Sequence, residues 1–225
     1  MRQVSPQQAK LAMEQAFQTW GLPYRIRLDN GMPFANTGDR TLPTALVVWL
    51  VALGVEVLFN QVYSPQQNGS VECTQRISNA WANPKKCESA GQLQKALNQV
   101  VEDHLRVYRI RRMADRTRQQ IYPELFHNDR PYRPQQIDPN KAIQYLSQFE
   151  WARKVYSNGR INLFGHNLRI GNQYKHHRVA IRLDTDSCQW LVFNHNGQVI
   201  TSLGKFQPQP KDIADLTIFS KNFTT

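Results

Sequence analysis

The stretch Ala45-Leu46-Val47-Val48-Trp49-Leu50-Val51-Ala52-Leu53 carries no charged, hydroxyl or amide side chain. Thr41 and Pro43 in front of it predict a helix start, and Gly54 behind it predicts the end. Leu46, Val47, Trp49, Leu50 and Leu53 leave almost no side of that helix polar, so it must be covered on several sides at once. It is too short to span a bilayer, which leaves burial inside a protein core. Upstream, Ser5-Pro6 reads as a cap followed by the first helical residue. Leu11, Ala12, Ala16, Phe17 and Trp20 then form a helical stripe up to Gly21. Two short strands flank the apolar helix: the alternating run Tyr24 to Leu28, and Val55 to Phe59.

Chemistry-bearing residues stand at the edges of these elements. Asp29 closes the first strand, and Asn30-Gly31 turns the chain sharply after it. Tyr63 to Asn68 cannot be regular structure, because Pro65 removes a donor and Asn68-Gly69 is a turn dipeptide. Beyond Gly69 no breaker occurs until Asn83-Pro84, and Val71, Ile77 and Trp81 are spaced along one side of a helix. Glu72 falls in its first turn, where a negative charge suits the helix dipole. An isolated acid there would be an ordinary first-turn residue. The Pro-Gln-x-Asn-Gly loop before it and Asp29-Asn30-Gly31 upstream give it more weight. If the two strands pair side by side, Asp29 and Glu72 can meet at one edge of the sheet. Two hard oxygen ligands there would suit Mg²⁺ or Mn²⁺.

Asp29-Asn30-Gly31-x-Pro33-Phe34, followed by Tyr63-Ser64-Pro65-Gln66-x-Asn68-Gly69-x-Val71-Glu72, resembles the second and third acidic motifs of the DDE integrases and transposases. The likeness is closest to bacterial insertion-sequence transposases with an integrase core. It implies an α/β fold, a partial RNase H-like core, in which Asp29 and Glu72 are catalytic and bind metal. Asn68 and Gly69 would shape a loop that positions DNA, and Gln75 and Arg76 would reach the target strand. The interval from Asp29 to Glu72 is longer than the family's, with an insertion expected around Asn36 to Arg40. The family's first catalytic Asp should stand on a strand well upstream of Asp29. The only acid upstream here is Glu14, in a helical pattern. The expectation is therefore a core lacking its first strands and one of its three carboxylates, with the apolar helix deprived of its packing surface. Such a chain would be inactive alone and unstable in its N-terminal part, unless Glu14 or Asp39 completes the site.

Past Asn83-Pro84 a helix is predicted from Gly91 to Tyr108, with Leu93, Leu97, Val100, Val101, Leu105 and Tyr108 as its apolar stripe. Arg106, Arg109, Arg111, Arg112, Arg116 and Arg118 then crowd together, with only Asp115 against them. That is a solvated basic face or a phosphate-binding one. Pro123, Pro131 and Pro134 mark a linker, and Asp138-Pro139 caps a short helix through Phe149. From Trp151 the pattern is β, with strand, turn and strand at Val155, Ser157-Asn158-Gly159 and Ile161. Strands at Val179 to Leu183, Trp190 to Phe193 and Val199-Ile200 follow. This part reads as a small all-β barrel and resembles the SH3-like domain of the same transposases. It carries Arg153, Lys154, Arg160, Arg169, Lys175, Arg178, Arg182 and Lys205 against Asp184 and Asp186. His176-His177 is a poor metal pair, since adjacent strand residues point to opposite faces.

The divisions expected are a partial catalytic core over residues 1–110, a basic proline-containing linker over 111–150, the barrel over 151–205 and a polar tail over 206–225. The formal charge is +11, from 28 Lys and Arg against 17 Asp and Glu, which favours a polyanionic partner over a membrane. Cys73, Cys87 and Cys188 form no metal or disulfide framework, which fits a reducing cytoplasm. The resemblance implies DNA as partner, both insertion-sequence ends and target. It also implies a second copy or an intact transposase, two Mg²⁺ or Mn²⁺ ions, and a bacterial, nucleoid-associated location. The alternative to catalysis is a fragment that only binds DNA or an intact transposase.

Overall fold

Helix α1, Pro6–Trp20, starts as the sequence predicts. The Ser5 hydroxyl accepts from the Gln8 amide at 3.2 Å, and the Gln8 side chain accepts from the Ser5 amide at 3.0 Å. In the computed structural model the described residues are 4–36, 39, 41–61, 69–126 and 128–221. The loop expected before Glu72, Tyr63 to Asn68, lies outside them. Of the α1 stripe only Phe17 is buried, while Leu11, Ala12 and Ala16 are exposed. Strand β1, Arg25–Leu28, pairs in parallel with β2, Glu56–Phe59, Arg25 lying opposite Glu56 and Leu28 opposite Phe59. The side-by-side strands expected from the sequence are thus present. Helix α2, Ala45–Ala52, lies between them in sequence. It begins after Pro43 because the Thr44 hydroxyl is the cap, accepting from the Val47 amide at 3.3 Å. It ends at Gly54, whose φ of +78° suits a residue without Cβ.

The chain divides into two compact units interleaved along the sequence. One comprises Met1–Gln15, Pro23–Phe59 and Tyr132–Thr225, the other Ala16–Leu22 and Asn60–Pro131. The first unit is built on α2, whose Leu46, Val47, Val48, Trp49, Leu50 and Ala52 have no exposed surface. Helix α6, Pro139–Ser147, packs on α2, and the Ala52 carbonyl accepts from the Asp138 amide at 3.0 Å. Asp138 also caps α6 by accepting from the Asn140 amide at 2.9 Å. The expectation that α2 lacks its cover is therefore corrected.

The sheet of this unit is open. Strands β5 (Trp151–Lys154), β8 (Arg178–Asp184), β9 (Gln189–Phe193) and β10 (Val199–Lys205) run antiparallel in the order β10-β9-β8-β5. Strands β6 (Arg160–Leu163) and β7 (His166–Arg169) form a separate hairpin. The expected closed barrel is thus not formed by the described strands. Nor does the strand-turn-strand around Ser157-Asn158-Gly159 make a ladder, since β5 pairs with β8 and β6 with β7. Phe164 and Gly165, at φ of +49° and +84°, make the tight turn that commits β6 to β7. The Trp151 indole N–H donates to the Thr41 carbonyl at 2.9 Å, so the sheet is tied to the segment before α2.

The polar tail expected after Phe206 is also corrected. It forms helices α7, Pro210–Ala214, and α8, Ile218–Lys221. Phe206, Ile213 and Ile218 are completely buried, and α7 packs on α2. Three apolar residues spaced among polar ones show no helical or strand period, but α2 takes α7 with Ile213, and Trp190 takes Phe206.

In the second unit, α3, Gly69–Ala82, ends at Asn83, whose left-handed backbone leads into a 3₁₀ turn over Pro84–Lys86. Val71 and Trp81 are exposed and Ala82 is buried, so the predicted stripe is not a core face. Helix α4, Ala90–Glu102, is capped by Ser89 and runs on into a π-turn over Asp103–Val107. Val100 and His104 are buried, while Val101, Val107 and Tyr108 are exposed. The wider π-turn breaks the helical period that the expected stripe follows, and so carries Tyr108 outward. The arginine-rich segment is a hairpin of β3, Arg109–Ile110, and β4, Arg116–Thr117, followed by α5, Arg118–Ile121.

Ile213→Ala should lower the stability of the chain by about 2–5 kcal/mol, the usual cost of truncating a buried Ile. Urea unfolding followed by tryptophan fluorescence measures it. An unchanged midpoint would mean the tail does not cover α2.

Candidate nucleic-acid interface

Asp29 follows the last residue of β1 and is exposed, with Oδ1 accepting from the Gly31 amide at 3.0 Å. Glu72 is exposed in the first turn of α3. The two carboxylates belong to different compact units. Among the described residues no group of three or more His, Cys, Asp or Glu could hold a metal ion. Glu14 is engaged by Lys10 Nζ at 2.6 Å and by the Tyr132 hydroxyl at 2.7 Å. Burial, then the bond to Glu14, pushes the Tyr132 phenol up, so it stays a donor. Asp39 is engaged by Arg153 at 2.6 Å and by Thr41. Both alternative carboxylates are thus held in bonds of the fold.

The basic residues of the first unit separate into two groups. Arg153 is paired with Asp39 and Arg182 with Glu150, and Lys205 lies opposite Gln189, whose partner on the other side is Asp184. The other five gather where the end of the β5–β8 ladder meets the β6–β7 hairpin. In register, Lys154 lies opposite Arg178, and Arg160 opposite Arg169. Backbone bonds join these strand ends. Val155 N donates to His177 O at 2.9 Å, and His176 N to Val155 O at 2.9 Å. Tyr156 N donates to Arg160 O at 2.7 Å, and Ile170 N to Gly159 O at 2.9 Å. Gly159 permits the close approach. A Cβ on it would stand 2.9 Å from the Gly171 carbonyl carbon, and its φ is +71°. Lys175 stands in the loop before β8, beside the exposed His176 and His177. All five cations are exposed, and none forms an ion pair with a described residue.

The acids of this sheet, Glu150, Asp184 and Asp186, belong to its opposite end. There Asp184 accepts from the Ser187 hydroxyl and amide, which holds its carboxyl below the usual range. Like charges placed directly across a ladder cost stability. Two such pairs at a strand end free of acids make a surface that a polyanion would neutralise.

In the second unit the arginines are less alike than the sequence makes them. Arg118 is half-buried, donating to the His104 carbonyl at 3.0 Å, with its guanidinium 5.7 Å from the Tyr108 ring. Arg106 pairs with Glu102 at 2.6 Å. Arg109 and Arg116 brace the hairpin through the carbonyls of Asp115 and Met113 at 3.1 and 3.2 Å. Arg111 and Arg112 are exposed on its 3₁₀ turn. Gln75 and Arg76 are exposed on α3, Gly69 is its first residue, and Asn68 lies outside the described residues.

Sequence reasoning gave His104 no role. Its ring lies 4.8 Å from Trp81 and 5.7 Å from Tyr108, and its Nε2 has no hydrogen-bond partner among the described residues. Nothing in the sequence marks it, since a lone His after a helical run shows neither the π-turn nor the rings around it. No protein-family model matches the chain.

Burial, then the nearby Arg118 charge, lowers the His104 pKa, with Asp103 opposing weakly. A histidine held neutral in the fold takes up its proton more readily when unfolded. Its contribution is present above the unfolded pKa of about 6.5 and is lost as pH falls through the folded value. Denaturant unfolding should show stability falling between pH 7.5 and 5.5, and His104→Phe should flatten that dependence. An equally steep dependence in the variant would place its origin elsewhere.

Proposed function

We propose that the chain is a DNA-binding protein of the integrase-core transposase kind. What carries the reading is the junction of the β5–β8 ladder with the β6–β7 hairpin, where Lys154, Arg160, Arg169, Lys175 and Arg178 stand unpaired by acid, two pairs of them directly across a ladder. The two acidic motifs in family order support it. So do the parallel pairing of β1 with β2, Asp29 at the end of β1, and Glu72 in an exposed first turn. The finer fold that goes with this reading is a partial RNase H-like core joined to an SH3-like module. DNA is held through its phosphates with little sequence preference. A second copy or an intact transposase is the protein partner, and the place of action is the bacterial nucleoid. No helix among the described residues is long and apolar enough to cross a membrane.

A second reading, binding without chemistry, draws on the engagement of Glu14 and Asp39 inside the fold. Asp29 and Glu72 then need a further carboxylate before a Mg²⁺- or Mn²⁺-dependent cleavage or joining step is open to them. The readings part in a strand-transfer assay. The chain alone is expected to join no DNA with either ion, and to do so when a segment carrying a further Asp on a strand is supplied. Asp29→Asn and Glu72→Gln should abolish that restored activity while DNA binding persists. Joining by the chain alone, or restored joining that survives both substitutions, would reject the assignment.

Replacing Lys154, Arg160, Arg169 and Arg178 together by Gln should weaken duplex binding at low salt. It should also flatten the log–log salt dependence by roughly 2 to 4, since each phosphate contact contributes about 0.9. The melting temperature should hold or rise, because like-charge repulsion is relieved. Unchanged affinity and salt slope would remove the sheet end from the interface.

A further inference from the structure

The second unit carries a feature that duplex phosphate binding leaves unused. Trp81 and Tyr108 are large aromatic residues, 44% and 42% exposed, with ring centroids 5.8 Å apart. Neither ring is loose. The buried His104 ring lies against both, nearly parallel to Tyr108 at 25°, and the Arg118 guanidinium lies 5.7 Å from Tyr108. Trp81, Asp103, Val107, Tyr108 and Arg109 line an open cleft of about 540 Å³. The π-turn over Asp103–Val107 presents Tyr108, whose amide donates to the Asp103 carbonyl at 2.7 Å. Single π-turns inside helices recur at functional sites.

The surroundings are cationic. Arg109 is in the cleft wall, and Arg111 and Arg112 are exposed on the turn that follows it. Ala114 and Asp115, at φ of +57° and +55°, close that turn in a conformation costly for residues other than glycine. A braced pair of exposed rings flanked by arginines is the arrangement that takes unpaired nucleic-acid bases. Every base offers a π-face to stack, and its phosphates are met by the cations.

We propose that Trp81 and Tyr108 form a stacking site for an unpaired nucleobase, with Arg109, Arg111 and Arg112 holding the adjoining phosphates. The site rests on the nucleic-acid reading above but differs from the sheet end in its ligand. That end meets duplex backbone, and this cleft takes a base already out of the stack. Asp103, in the same cleft, offers a carboxylate to an exocyclic amine of such a base.

The test uses the full chain and two probes of equal length. One is a duplex, and the other is the same duplex with one unpaired 2-aminopurine. Binding should quench the unpaired 2-aminopurine through stacking. Trp81→Ala and Tyr108→Ala should each weaken binding of the unpaired probe by about tenfold or more, the scale of losing one base stack. Paired-duplex affinity should be unchanged, and Trp81→Phe should retain most of the preference. Binding without quenching, or equal affinity of Trp81→Ala and the unaltered chain for the unpaired probe, would overturn the site and leave the duplex reading intact. Equal loss on both probes with a lowered melting temperature would show Trp81 to be structural, which also overturns it. Binding of neither probe by the unaltered chain would reject the nucleic-acid reading itself.

Discussion

The burial of α2 is the constraint on which the first unit depends. A helix with six side chains at zero exposure cannot stay in water, and burial of each is worth about 1.5–3 kcal/mol for the larger ones. The cover comes from segments far along the sequence, α6 and α7. Three further bonds draw later segments to the stretch around α2: Ala52 to Asp138, Thr41 to Trp151, and Asp39 to Arg153. This packing makes residues 23–59 and the β-rich half of the chain one compact unit rather than two domains in series.

Charge is distributed by the same sheet. Its acids pair with Arg182, or bond the turn at Ser187, at one end. Its unpaired cations stand at the other, on strand ends held together by backbone bonds around Gly159. The concentration of like charge survives because the ladders and the core beneath them are well supported. Ile161, Leu163, Val179 and Ile181 are buried on the same strands. Stability sacrificed at a surface in this way is a common mark of binding. The second unit divides its arginines differently: Arg118 and Arg106 brace aromatic rings, while Arg111 and Arg112 are left to solvent.

Much was legible in particular residues. Ser5-Pro6, Asn83-Pro84 and Asp138-Pro139 mark helix boundaries through capping chemistry that acts within a few residues. The alternation of Tyr24 to Leu28 is equally local. The placing of Glu72 in a first helical turn followed from the same kind of signal. What failed was longer in range. Tyr108 fits an apolar stripe, yet the π-turn puts it in solvent, and Val101, next to the buried Val100, is exposed as well. The turn at Ser157-Asn158-Gly159 reads as a hairpin, yet its flanking strands choose other partners.

The sequence by itself determined where the early helices and strands start and stop, that α2 must be buried, and that the chain carries an excess of positive charge. These follow from local propensity, from solvation and from charge, none of which needs a partner to be named. Tertiary structure alone decided what covers α2, that Phe206, Ile213 and Ile218 belong to the core, and that Glu14 and Asp39 are spoken for by Tyr132 and Arg153. It alone separated arginines that face solvent from those that support a ring. Pairings of this kind join residues as far as 118 positions apart. No local pattern records them, because many segments could supply an apolar face or a countercharge and only packing selects among them.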